Sequence, residues 1–188
     1  MLFDRIKSGY PGADEVFDSI RVGDNVVWQV TELSEYRLFA QPFADQAVKD
    51  GRNMVYIHFT RHEPLLSARP GLKIFEFDPD MGFEPFTVAI YNRITEEGPG
   101  TFYVFDCLSE LQSAWYTDQM MANFFRVTCP YLYELETVAY FPLLRSRHSF
   151  DSVARIRDTT QLLIDVYTSD SSVYIHTLKA QDLSLIHI

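Results

Sequence analysis

The chain has 188 residues, with 16 Lys and Arg against 26 Asp and Glu, a formal net charge of −10. That length suits one domain with a full-sized core, and 47% apolar residues with 15 Phe and 11 Tyr exclude a disordered chain. The acidity argues against a nucleic-acid binder, which needs a Lys/Arg face, and no apolar run approaches the roughly 20 residues of a membrane span, so a soluble cytoplasmic domain is expected.

The opening Met1-Leu2-Phe3-Asp4-Arg5 carries charge, and no signal peptide is expected. Residues 25–30 (NVVWQV) follow the turn signal Gly23-Asp24-Asn25 and predict a strand. Residues 32–50 predict a helix, with Tyr36, Phe39, Phe43 and Ala47 on one face and Gly51 as its stop. Pro42 inside it predicts a kink or a break. Residues 54–59 (MVYIHF) are nearly all apolar, as a strand buried on both faces should be.

Residues 61–71 form a loop with two prolines, and 72–77 (LKIFEF) alternate as a third strand. Residues 83–97 predict a helix closed by Gly98-Pro99-Gly100, and 101–105 (TFYVF) a fourth strand. A helix over 109–125, opened by Ser109 as cap, a short helix over 130–136 and a strand over 137–144 follow. Residues 148–158 predict a helix with Phe150, Val153 and Ile156 inward. Residues 161–167 and 172–178 predict two strands joined by the turn Thr168-Ser169-Asp170-Ser171. Strands separated by helices imply βαβ units: an α/β, three-layer, mostly parallel sheet with helices on both faces and an antiparallel hairpin at one edge.

The tail Leu183-Ser184-Leu185-Ile186-His187-Ile188 resembles the translation of a transposase-adaptor end used in sequencing libraries. Residues 1–182 are accordingly expected to form the native domain, 183–188 to be an artefact, and the natural chain to continue. Cys107 and Cys129 support neither a disulfide framework nor a zinc site, and Cys107, within an apolar run, reads as a buried inert thiol.

Residues 20–59 resemble the start of RecA-superfamily P-loop ATPases of the KaiC-like class. The resemblance rests on Val22-Gly23-Asp24-Asn25-Val26-Val27-Trp28-Gln29-Val30 as lead-in, and on Gly51-Arg52 with Val55-Tyr56-Ile57-His58-Phe59 as the return. Phe102-Tyr103-Val104-Phe105-Asp106-Cys107-Leu108-Ser109 is similar to the Walker B strand, with Asp106 and the trailing Ser109 at its end. Where that class presents its glycine- and lysine-bearing phosphate loop, this chain has Thr31-Glu32-Leu33-Ser34-Glu35-Tyr36-Arg37. Phosphate cradles need glycines, so that backbone N–H groups converge on the anion, and a lysine to neutralise it. Thr31, Glu32, Ser34 and Glu35 supply neither, and the two glutamates put like charge where a triphosphate would lie. After the second strand stands Thr60-Arg61-His62-Glu63, with Glu63 as a displaced counterpart of the class's water-activating acids.

Three further segments, 24–30, 103–109 and 125–132, resemble a degenerate KaiC-like N-terminal domain of certain bacterial phosphoenolpyruvate synthase/pyruvate phosphate dikinase-like proteins. That resemblance implies a non-catalytic regulatory or scaffolding domain whose partners are downstream catalytic domains of the same chain. No catalytic residue, metal ligand or cofactor is expected, and the domain should be a monomer or dimer. Two alternatives stand beside it. One is a nucleotide-binding protein using Mg-ATP with Asp106 and an unconventional loop. The other is an anion-binding module built on Arg61, His62, Arg145, Arg147 and His148. His58, alternating within a buried strand, reads as a satisfied core residue. The aromatic stretch around Met120-Met121, Phe124-Phe125 and Tyr131-Leu132-Tyr133 suggests both core and a docking patch.

Overall fold

The computed structural model describes residues 5–17 and 20–180; the tail 183–188 lies outside them. Two short strands, β1 (Arg5–Ile6) and β2 (Ile20–Arg21), pair antiparallel around helix α1 (Pro11–Phe17). Then follow β3 (Asn25–Val30), α2 (Leu33–Lys49), β4 (Met54–His58), β5 (Leu72–Glu76) and α3 (Phe83–Glu97). The chain continues through β6 (Phe102–Phe105), α4 (Leu108–Trp115), α5 (Asp118–Glu134), β7 (Val138–Leu144) and α6 (Phe150–Thr159). It closes with β8 (Leu162–Ser169) and β9 (Ser172–Lys179).

The main sheet runs β5-β4-β6-β7-β3-β8-β9. Every neighbouring pair is parallel except the edge hairpin β8–β9. Asp170 and Ser171 turn that hairpin with φ of 50° and 66°, the left-handed pair that suits the twist of the strands it joins. This is the three-layer, RecA-like α/β arrangement expected from the strand–helix alternation.

Successive strand residues feed two separate cores, because side chains alternate across a strand. Trp28, Tyr56, Val104 and Tyr140 face α2, where Phe43 stacks on Tyr140 at 4.0 Å between ring centroids. Val27, Ile57, Phe105 and Phe141 face α3 to α6, against Phe86, Phe125 and Ile156. With both faces covered, β3, β4, β6 and β7 are almost wholly buried, which explains their near-continuous apolar runs.

Helix α2 runs through Pro42 without a break. Four expectations are corrected. Pro130 lies inside α5 instead of opening a separate short helix. The carbonyls the two prolines leave unbonded belong to Leu38 and Arg126, both exposed, so water can satisfy them. The expected helix over 109–125 is two helices. Tyr116 takes φ 59°, Thr117 accepts the Gln119 N–H at 3.2 Å to cap α5, and Trp115 Nε1–H donates to the Pro79 carbonyl at 3.0 Å. Ser109 lies inside α4, after Cys107 as the cap position. Phe150 is 79% exposed instead of inward: it is the first residue of α6, beyond the stripe that Val153 and Ile156 bury. The first strand pair and α1 carry no periodic signal long enough to read.

Candidate functional site

The phosphate-loop position lies between β3 and α2, and Glu35 fills it. Its Oε2 accepts the Thr31 N–H at 2.7 Å and lies 3.5 Å from the Glu32 nitrogen; its Oε1 accepts the Thr168 hydroxyl at 2.9 Å. Backbone N–H groups at a helix N-terminus attract anions. Here the anion is the chain's own carboxylate, 6% exposed. The Ser34 hydroxyl is turned to the Glu32 carboxylate.

A second cluster forms where β4 and β6 end. Parallel strands present ligand sites at their C-terminal ends, and β4 lies directly beside β6. Asp106, fully buried, accepts the Tyr56 hydroxyl at 2.5 Å on Oδ1. Its Oδ2 accepts the His58 Nδ1–H at 2.6 Å and the Phe59 N–H at 2.8 Å. His62 Nε2 stands 3.6 Å from that same Oδ2 and 3.3 Å from Glu110 Oε1. Glu110 reaches the cluster because it lies one helical turn beyond Asp106, at the start of α4.

The electrostatics follow from this burial. The hydrogen bond to Asp106 holds the His58 imidazole above its ordinary value, against burial, which lowers it. Burial pushes the Glu110 carboxyl up to about 7; His62 pulls it down and Asp106 pushes it further up. Burial and Asp106 raise the Tyr56 hydroxyl far above the usual tyrosine range. Donor atoms of His58, His62 and Asp106 lie within 4.8 Å of one another, a set able to hold a metal ion. Tyr56 and Glu110 are site residues that sequence reasoning missed. The spacing Asp106-x-x-x-Glu110 at a strand–helix junction was the available signal.

Ser109 belongs elsewhere. Its hydroxyl donates to His148 Nε2 at 2.7 Å and accepts the Leu144 N–H at 2.9 Å. His148 Nδ1–H donates in turn to Asp118 Oδ1 at 2.7 Å. The order hydroxyl–imidazole–carboxylate is that of a nucleophilic triad. Ser109 is only 1% exposed, however, and its oxygen already accepts a backbone N–H, so the chain of bonds ties α4, α5 and the end of β7 together.

The five residues of the expected anion site do not act as one group. Arg61 pairs with Asp80, and Arg145 with Asp165 at 2.7 Å. His148 is turned into the Ser109–Asp118 network, and Arg147 is exposed in the turn before α6. Only His62 joins the cluster at Asp106. Glu63, the displaced acid, is exposed, and its carbonyl accepts the His62 Nδ1–H at 2.6 Å. Cys107 is buried, and burial pushes its thiol up to about 12.

No protein-family model matches the chain, and no curated protein matches it either. No helix among the described residues is long and apolar enough to cross a membrane.

Proposed function

We propose that this chain is a non-catalytic, RecA/KaiC-like regulatory or scaffolding domain whose phosphate loop has been lost. The observation that carries the reading is the Glu35 carboxylate, bonded to the Thr31 N–H and the Thr168 hydroxyl at the entrance of α2. A triphosphate arriving there meets a fixed negative charge and donors already in use. Neither lysine nor glycine stands between Thr31 and Arg37 to offset this. At the other end of the nucleotide machinery, Asp106 accepts bonds from Tyr56, His58 and the Phe59 N–H, and the His62 imidazole stands 3.6 Å from it where a nucleotide site would be open.

The larger protein served is, on the resemblance of residues 24–30, 103–109 and 125–132, a cytoplasmic phosphoenolpyruvate synthase/pyruvate phosphate dikinase-like enzyme. Its catalytic domains are the partners, and the domain itself is a monomer or dimer that engages neither nucleic acid nor membrane. Calorimetric titration with Mg-ATP and Mg-ADP is the test. No binding heat and no rise in Tm are expected. A micromolar constant that disappears in a folded Asp106→Ala variant overturns the proposal in favour of an unconventional nucleotide site.

A further inference from the structure

The geometry points to a binding site for a first-row divalent transition-metal ion, such as Zn2+, formed by His62, Asp106 and His58 with Glu110 beside them. The inference is independent of whether nucleotide binds at α2.

His62 carries the argument. Its Nδ1–H donates to the Glu63 carbonyl at 2.6 Å, which fixes the tautomer and leaves Nε2 with a lone pair. That arrangement, one ring nitrogen on a backbone carbonyl and the other free, is how metal-bound imidazoles are held. The free Nε2 is buried and has no hydrogen-bond partner, and neither has Glu110 Oε2. Two explanations compete for a bare nitrogen facing two carboxylates: a second proton on the ring, or a cation between the groups.

The distances separate them. A charge-assisted N–H···O bond closes to about 2.7–2.9 Å, whereas Nε2 stands 3.3 Å from Glu110 and 3.6 Å from Asp106. Two ligands bound tetrahedrally at about 2.0–2.1 Å from one ion lie about 3.3 Å apart. The spacing is that of co-ligands.

The rest of the cluster fits the same ion. Asp106 is already oriented by Tyr56 and the Phe59 N–H, the outer contacts that a ligating carboxylate needs. His58 Nδ1 lies 2.6 Å from Asp106 Oδ2, a hydrogen-bond distance, so it joins the ion only by releasing its proton to solvent as the pair opens to co-ligand spacing; its ring lies 5.7 Å from that of His62. Two imidazoles with carboxylate oxygens select a borderline ion over Mg2+ or Ca2+, which take oxygen ligands. His62 and Glu110 are about one-fifth exposed, which gives the ion an entry path that the fully buried Asp106 lacks.

The test is titration of the chelator-treated chain with Co2+, read by visible ligand-field absorption, and with Zn2+, read by calorimetry. One ion per chain is expected, with Zn2+ undisturbed by excess Mg2+. His62→Ala alters a partly exposed loop residue and should leave the fold intact while weakening binding more than about tenfold. Glu110→Gln should weaken it less. An absence of binding, or a Zn2+ affinity equal in the wild type and a folded His62→Ala variant, overturns the proposal. An Nε2 of His62 that carries a proton by nitrogen NMR in the presence of Zn2+ does the same.

Discussion

Glu35 accepts the N–H of Thr31 at 2.7 Å, closing the entrance of α2 from within the same chain. Removing that carboxylate therefore has two consequences. Glu35→Ala leaves the Thr31 N–H and the Thr168 hydroxyl without their acceptor and should cost about 1–2 kcal/mol, a fall of several degrees in Tm. It also frees the helix N-terminus for an anion, so inorganic phosphate should raise the Tm of Glu35→Ala but not of the wild type. Equal phosphate responses would show that Glu35 is not what occupies the site.

Ser109 is a structural latch in this arrangement. Ser109→Ala strips a partner from both the Leu144 N–H and His148, and should cost about 1–3 kcal/mol by denaturant unfolding. A serine-directed organophosphorus reagent should leave the native chain unlabelled, because the hydroxyl is 1% exposed. Labelling confined to Ser109 would reverse that assignment.

Acid should act through Asp118. Burial pushes its carboxyl up, but the bonds from His148 and the Ser149 N–H outweigh it and hold the group below its ordinary value. A carboxylate lowered in the folded state stabilises the chain above its unfolded pKa of about 3.9, and that stability drains away as pH falls through the lower folded value. Asp118→Asn should flatten Tm against pH between about pH 4 and pH 2, while His148→Ala should raise the titration midpoint of Asp118 by NMR.

The two thiols offer a simple probe of packing. Burial raises both Cys107 and Cys129 above their ordinary range, Cys107 to about 12. A chromogenic disulfide reagent should find neither in the native chain and both after denaturation.

Two phenylalanines that look alike in the sequence should behave oppositely. Phe43, stacked on Tyr140 in the core, should cost roughly 3–5 kcal/mol when replaced by Ala. Phe150, exposed at the start of α6, should change stability by less than about 0.5 kcal/mol when replaced by Ser.

That contrast marks where sequence reading reaches and where it stops. Periodicity locates α2 and α3 because their buried faces repeat over several turns, and apolar runs locate β4 and β6 because both sides are covered. Phe150 sits at a helix start, where one residue decides the face and no repeat reports it. The division of α4 from α5 depends on Tyr116 entering the left-handed region, which no glycine or asparagine announces. Asp106, Ser109 and Glu35 were legible as positions, but their partners were not. Thr168 lies far along the chain from Glu35, and only the fold joins them. The cluster at Asp106 draws His58, His62 and Glu110 from two strand ends and a helix, and pairwise spacing in a sequence carries little of that.

The strand order has a consequence for how the chain is made. β3 is the first strand of the main sheet to be synthesised, yet both its neighbours, β7 and β8, come late: Asn25 pairs opposite Ala139 and Val26 opposite Leu162. A nascent chain therefore leaves the ribosome with β3 unpaired until residues 138–165 have been made. The sheet can close only after these distant pairings form, so slow folding and exposure of the emerging polypeptide to aggregation are expected until β8 is out.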